Sequence, residues 1–162
     1  MSSHLHPAVQ NERLRTSVIG LISGIRDHGG LSPARIREAM GVDVQQNPDG
    51  EYGIYGTVDD RWDYNLISIH DAPGSDANGL MFSFDMKDPG STESSIPGFD
   101  PEAFRSELNA EGFSFEPILG QHGQVEFWLF ERSGVVVQAF LRGRNRDAPT
   151  PTCVSKILVS LN

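Results

Sequence analysis

The residues of this 162-residue chain best suited to chemistry are five histidines and a single cysteine. A general base needs a nucleophile and an orienting partner within hydrogen-bond reach. Of the histidines only His70, with Asp71 beside it at the end of an apolar run, is placed for such work. His4 and His6 stand in a polar N-terminal stretch, His28 follows a helical pattern where an imidazole complements the helix dipole, and His122 sits in a hairpin turn. Cys153 alternates with Ser155 and Ile157, which reads as a small hydrophobe on a half-buried strand. A cysteine nucleophile is the outside reading, because no family signature surrounds it. No internal disulfide can form from one thiol.

Asp59-Asp60-Arg61-Trp62-Asp63 gathers three carboxylates in one expected turn. Such a group could hold a hard cation, but a dedicated calcium loop supplies more oxygen ligands in a set order, so a solvated turn is the better reading. The chain has no H-E-x-x-H, no paired C-x-x-C, and no P-loop or dinucleotide fingerprint. No catalytic residue, metal or cofactor is therefore expected. Arg142, Arg144 and Arg146 form a small basic loop that could grip an anion or pair with acids elsewhere in the chain. Trp62 has two readings. Exposed among Asp59, Asp60 and Asp63 it would be an interface anchor, since an aromatic covers a large area at low entropy cost. Folded back, it would be core.

Charge separates the classes further. The formal net charge of −9 disfavours nucleic acid and anionic lipid as partners. The acidity is concentrated: Asp43 to Glu111 holds 15 acids against Arg61, Lys87 and Arg105, a balance of −12. Within it, Asp85 precedes a Pro/Gly/Ser-rich loop that holds Asp88 and Glu93, and these three join Asp59, Asp60, Trp62 and Asp63 as the expected partner-binding set. The partner would be a protein with a basic surface, steered by long-range charge. No apolar run reaches the 18 residues that suggest a membrane span. The N-terminal stretch lacks a signal-peptide pattern, so a cytoplasmic location is expected, or a periplasmic one if a leader has been removed.

The elements that must position these residues follow from periodicity. Residues 1–10 read as a tail and 11–162 as one domain. Leu14, Val18, Leu21, Ile22 and Ile25 share one face of a helix over about 11–27. Ser32-Pro33 opens a second helix that Gly41 closes, and Asp100-Pro101 opens a third that Gly112 closes. Between them lie strands around Tyr52–Val58, Tyr64–His70 and Leu80–Met86, with Asn78-Gly79 as a turn signal before the last. After them come Phe113–Leu119, Val125–Glu131, Val135–Arg142 and Cys153–Leu161. The order α-α-β-β-β-α-β-β-β-β predicts an α+β fold, an antiparallel sheet with helices on one face. It also suggests a degenerate tandem of helix-plus-meander units.

Ser32-Pro33, Gly41, Asp100-Pro101, Gly112 and the acidic Asp59–Asp63 turn give the chain an outline that resembles bacterial immunity proteins and proteinaceous inhibitors of the β-lactamase-inhibitor type. The resemblance is one of element order over 32–161, and it implies a non-enzymatic domain that neutralises a toxin or effector enzyme. A secretion chaperone, binding an effector segment as a homodimer, is the second expectation. A small hydrolase using His70 or Cys153 is the third.

Overall fold

The computed structural model describes residues 7–58, 62–86, 98–142 and 153–162. Its elements are α1 (Pro7–Ser23), a 3-10 turn (His28–Leu31), α2 (Pro33–Met40), β1 (Gln45–Gln46), β2 (Tyr52–Thr57), β3 (Trp62–His70), β4 (Ala77–Met86), α3 (Pro101–Ala110), β5 (Ser114–Leu119), β6 (Val125–Arg132), β7 (Val135–Arg142) and β8 (Cys153–Leu161). Among the described residues no helix is long and apolar enough to cross a membrane.

The helix termini form where capping chemistry places them. The Ser32 hydroxyl accepts from Arg35 N at 3.3 Å, and the Asp100 carboxylate from Ala103 N at 2.9 Å. Each is followed by proline at the first helical position, where no N–H is missed. Gly41 closes α2 with φ 70°, a left-handed conformation that costs glycine little. α1 starts earlier than periodicity suggests, because Ala8 and Val9 in its first turn are out of phase with the apolar face of Leu14, Val18 and Leu21. It also stops earlier, at Ser23, and Gly29-Gly30 belongs to the 3-10 turn that the Asp27 carboxylate caps.

The eight strands form one antiparallel sheet in the order β1-β2-β3-β4-β8-β7-β6-β5. Two four-stranded meanders, each preceded by a helix, thus meet through their last strands. At the junction Leu80 pairs with Val159 and Phe82 with Ile157. β1 escapes a sequence reading because two exposed glutamines show no alternation. Asn78-Gly79 is not a turn. It lies inside β4, and the reversal is made by 71–76 with Gly74 at φ 81°. Gly79 is needed for close approach instead, since a Cβ there would sit 2.4 Å from the Val159 carbonyl oxygen.

All three α-helices pack on one face of this sheet. Ile22 and Ile25 from the α1 region, Ile36 of α2, and Phe104 and Leu108 of α3 share a core with Ile54, Leu66, Leu80, Phe82, Phe130, Val137 and Ile157. A chain of rings crosses the junction from one meander to the other. Phe82 stacks on Phe99 at 5.5 Å between centroids, Phe99 on Phe104 at 6.3 Å, and Phe104 meets Phe130 edge-on at 5.7 Å. Arg132 fastens the helix ends to the sheet. Its guanidinium donates to the carbonyls of Ser23, Ile25 and Glu111, each at 3.0 Å, which satisfies acceptors that a helix end leaves unpaired.

Truncating the centre of this core should be costly. Phe82→Ala is expected to lower the unfolding free energy by about 3–5 kcal/mol, read from urea denaturation. A second expectation concerns Tyr64, whose ring covers Gly56 on the neighbouring strand. Burial raises its phenol above the usual value of 10.0. The unfolded chain therefore ionises first, so this contribution is intact below about pH 10 and is lost as pH rises through the folded pKa. The alkaline fall in stability should be shallower in Tyr64→Phe when denaturation is followed from about pH 9 to 11.

Candidate binding face

Side chains alternate across a strand, so each residue of a register pair shares its face with its partner. The second face of the sheet can be read off the ladders. One row runs Ile118, Phe127, Phe140, Lys156, Ser83, Asn65, with Tyr55 at its end. The next runs Leu129, Gln138, Leu158, Met81, Ile67. None of the apolar members of these rows belongs to the core that the helices complete. They are half-buried by their own neighbours, and Tyr55 is 56% exposed. Phe127 and Phe140 lie 5.5 Å apart, with the Lys156 ammonium 5.2 Å from the Phe140 ring.

The acidic residues fall on this map unevenly. Asp63 and Asp85 are cross-strand partners on the open face, although 22 positions separate them in sequence. Like charges directly opposite each other destabilise a ladder pair. Asn65 donates to the Asp85 carboxylate, and the Ser83 hydroxyl donates to Asn65 Oδ1 at 3.2 Å. Glu116 and Glu131 lie on the same face across β5 and β6, so four acids stand against Lys156 among the described charges. Asp59, Asp60, Asp88 and Glu93 lie outside the described residues.

Trp62 corrects the expectation of an exposed anchor. It is the first residue of β3, not part of a turn, and is 6% exposed. Strand alternation sends Trp62 toward the helices and Asp63 to the other face, so the core reading of the tryptophan is the right one. The apolar residues of the open face escaped the sequence reading, yet they left a signal. Val125–Phe130 and Val135–Leu141 carry apolar residues at both parities, the mark of strands with two apolar faces.

The histidines form a separate site. His28, Tyr52, His70, Ser75 and Asp76 line a cleft of ≈ 460 Å³ between the 3-10 turn, β2 and the β3–β4 reversal. His70 Nδ1 lies 2.7 Å from the Ser75 carbonyl, which can only accept, so Nδ1 carries the proton. In the neutral ring Nε2 then accepts the Ser68 hydroxyl proton at 2.7 Å, and Ser68 Oγ accepts from Tyr52 N at 3.0 Å. His28 Nδ1 holds the Ala77 carbonyl at 2.9 Å, and the Tyr52 hydroxyl donates to Leu31 O at 2.5 Å. The order serine, imidazole, acceptor is that of a nucleophile and its base. Ser68, however, is 5% exposed and does not line the cleft. The geometry ties two histidines to one reversal. Burial, and then the charge of Asp76, raise the Tyr52 phenol pKa. Cys153 is buried at the start of β8. Among the described residues no three His, Cys, Asp or Glu side chains are grouped to hold a metal ion.

Comparison with protein-family models, curated proteins and solved structures gives no match.

The histidine ties generate a local expectation. His70→Ala should speed amide hydrogen exchange across 74–77 while lowering global stability by only about 1 kcal/mol.

Proposed function

We propose that this chain is a non-enzymatic protein-binding domain of the inhibitor or immunity type, and that it engages its partner through the open face of the sheet. The observation that carries this reading is a set of apolar side chains in register on a sheet face outside the helix-covered core. Seven interstrand steps of about 4.8 Å and strands of about 20 Å give the face an extent on the order of 700 Å². That approaches the roughly 800 Å² which one side of a standard protein complex contributes. The apolar side chains occupy only part of this extent, among Lys156, Gln138, Asn65 and Ser83, and apolar patches rimmed by polar residues mark interaction sites. The excess of acids around the face favours a partner with a basic surface, such as a toxin or effector enzyme. The alternation of helix and meander is the element order expected from the sequence.

The test is co-purification with the product of the neighbouring gene. Phe127→Ser and Leu129→Ser together should weaken the complex by at least about tenfold, near 1.4 kcal/mol, while the protein stays cooperatively folded with a melt lowered only by the lost cross-strand contact with Phe140. Arg13→Glu with Arg37→Glu, on the helix side, should leave binding intact. A complex that survives the sheet-face changes and is lost with the helix-side changes would overturn the assignment.

A further inference from the structure

The cleft beside the two histidines lies apart from the open face and has its own chemistry. Its ≈ 460 Å³ are lined in part by His28, Ser32, Gln46, Tyr52, His70 and Asp76, and small-molecule sites fall in this size range. It sits where β2 begins, β3 ends and β4 begins. The chain leaves the described residues at the other end of the sheet, where β2 ends opposite the start of β3, β4 ends, and β7 ends opposite the start of β8. Gly98 joins that end through the Phe99–Val154 bridge, and Asn11 of α1 donates to its carbonyl.

Most hydrogen-bonding groups around the cleft are already engaged. Gly29 N donates to the Asp27 carboxylate, Gly50 N to Asn47 O and Ser75 N to Ala72 O. The Tyr52 hydroxyl is held by Leu31 O, and both His70 nitrogens are held by Ser68 and Ser75. Two acceptors remain. His28 donates Nδ1–H to the Ala77 carbonyl, which leaves Nε2 of the neutral ring as an acceptor. The Asp76 carboxylate makes no hydrogen bond or ion pair among the described residues. The His28–Ala77 bond keeps the two acceptors together, because it fixes the ring at the residue next to Asp76. Among the residues of the lining, Asp76 is the only Asp, Glu, Lys or Arg.

We infer that this cleft is a binding site for a guanidinium group, held between the His28 imidazole and the Asp76 carboxylate. The ligand must bring the N–H donors, since those of the cleft wall are taken. It must also be a cation. An anion would find the Ser32 hydroxyl and the Gln46 amide as donors but would face the Asp76 charge. Burial first, and the Asp76 charge second, hold the Tyr52 phenol above its usual pKa, so the field of the carboxylate reaches that wall of the cleft. A planar guanidinium presents five N–H donors in a fixed fork and can bridge two neighbouring acceptors, which a compact ammonium does less well.

The site does not depend on the open face, and its failure would leave that reading untouched. The probes are N-acetyl-arginine amide, the citrulline counterpart (a urea of the same shape without the charge) and the lysine counterpart. Each is titrated into isotope-labelled protein and followed by amide shifts. The arginine compound should bind about fivefold more tightly than the citrulline one, and more tightly than the lysine one, with shifts at 28–29 and 74–77. The advantage over citrulline should shrink at high salt. Asp76→Asn should abolish it. His28→Asn keeps a donor for the Ala77 carbonyl but removes the Nε2 acceptor, and should weaken the arginine compound. An n-propylguanidinium arm distinguishes the source: affinity equal to the arginine compound assigns a free guanidino compound, and weaker affinity assigns an arginine side chain. Equal affinities for arginine and citrulline, an advantage that survives Asp76→Asn, or shifts away from the cleft would overturn the site. Equal affinities for arginine and lysine would overturn its assignment to guanidinium.

Discussion

The antiparallel pairing of β4 with β8 is the contact on which the rest of the structure depends. Each meander alone is a four-stranded sheet with one helix-covered face. Joined at Leu80–Val159 and Phe82–Ile157, the two become one eight-stranded surface. The ring chain from Phe82 through Phe99 and Phe104 to Phe130 then crosses the seam on the helix side. Hydrophobic burial is non-directional. Backbone pairing is what aligns the two apolar faces and lets one set of helices cover both.

The same pairing creates the candidate face. Strand alternation gives every helix-facing row a companion row on the other side. In this chain many of those companions, among them Phe127, Phe140, Leu129 and Leu158, are apolar and stand outside the core. Alternation also explains why Trp62 and Asp63, adjacent in sequence, take different roles. The tryptophan completes the core and the aspartate meets Asp85 across the ladder. A one-residue slip of β3 would exchange them.

Element order was legible in the sequence because capping chemistry and period-two patterns are local. Ser32-Pro33, Asp100-Pro101 and Gly41 mark helix ends without tertiary help, and β7 and β8 fall at the expected bounds. What was not legible depends on pairing partners. Gly79 looks like a turn residue until Val159 is seen beside it, and Asp63 and Asp85 become neighbours only through the β3–β4 register. The site was half legible. The acids of the middle segment were visible by charge, and two of them lie together on the face. The apolar half was written in the apolar residues that β6 and β7 carry at both parities, whose second parity needed the sheet to give it a direction.

The central claim is that one face of the sheet stands open in the free chain. Methyl-labelled protein exposed to a soluble paramagnetic agent tests it most directly. The account predicts strong signal loss at Ile67, Ile118, Leu129 and Leu158, with Ile54, Leu66, Leu80 and Ile157 protected. Equal protection of the two sets would show the face to be covered and would contradict the account.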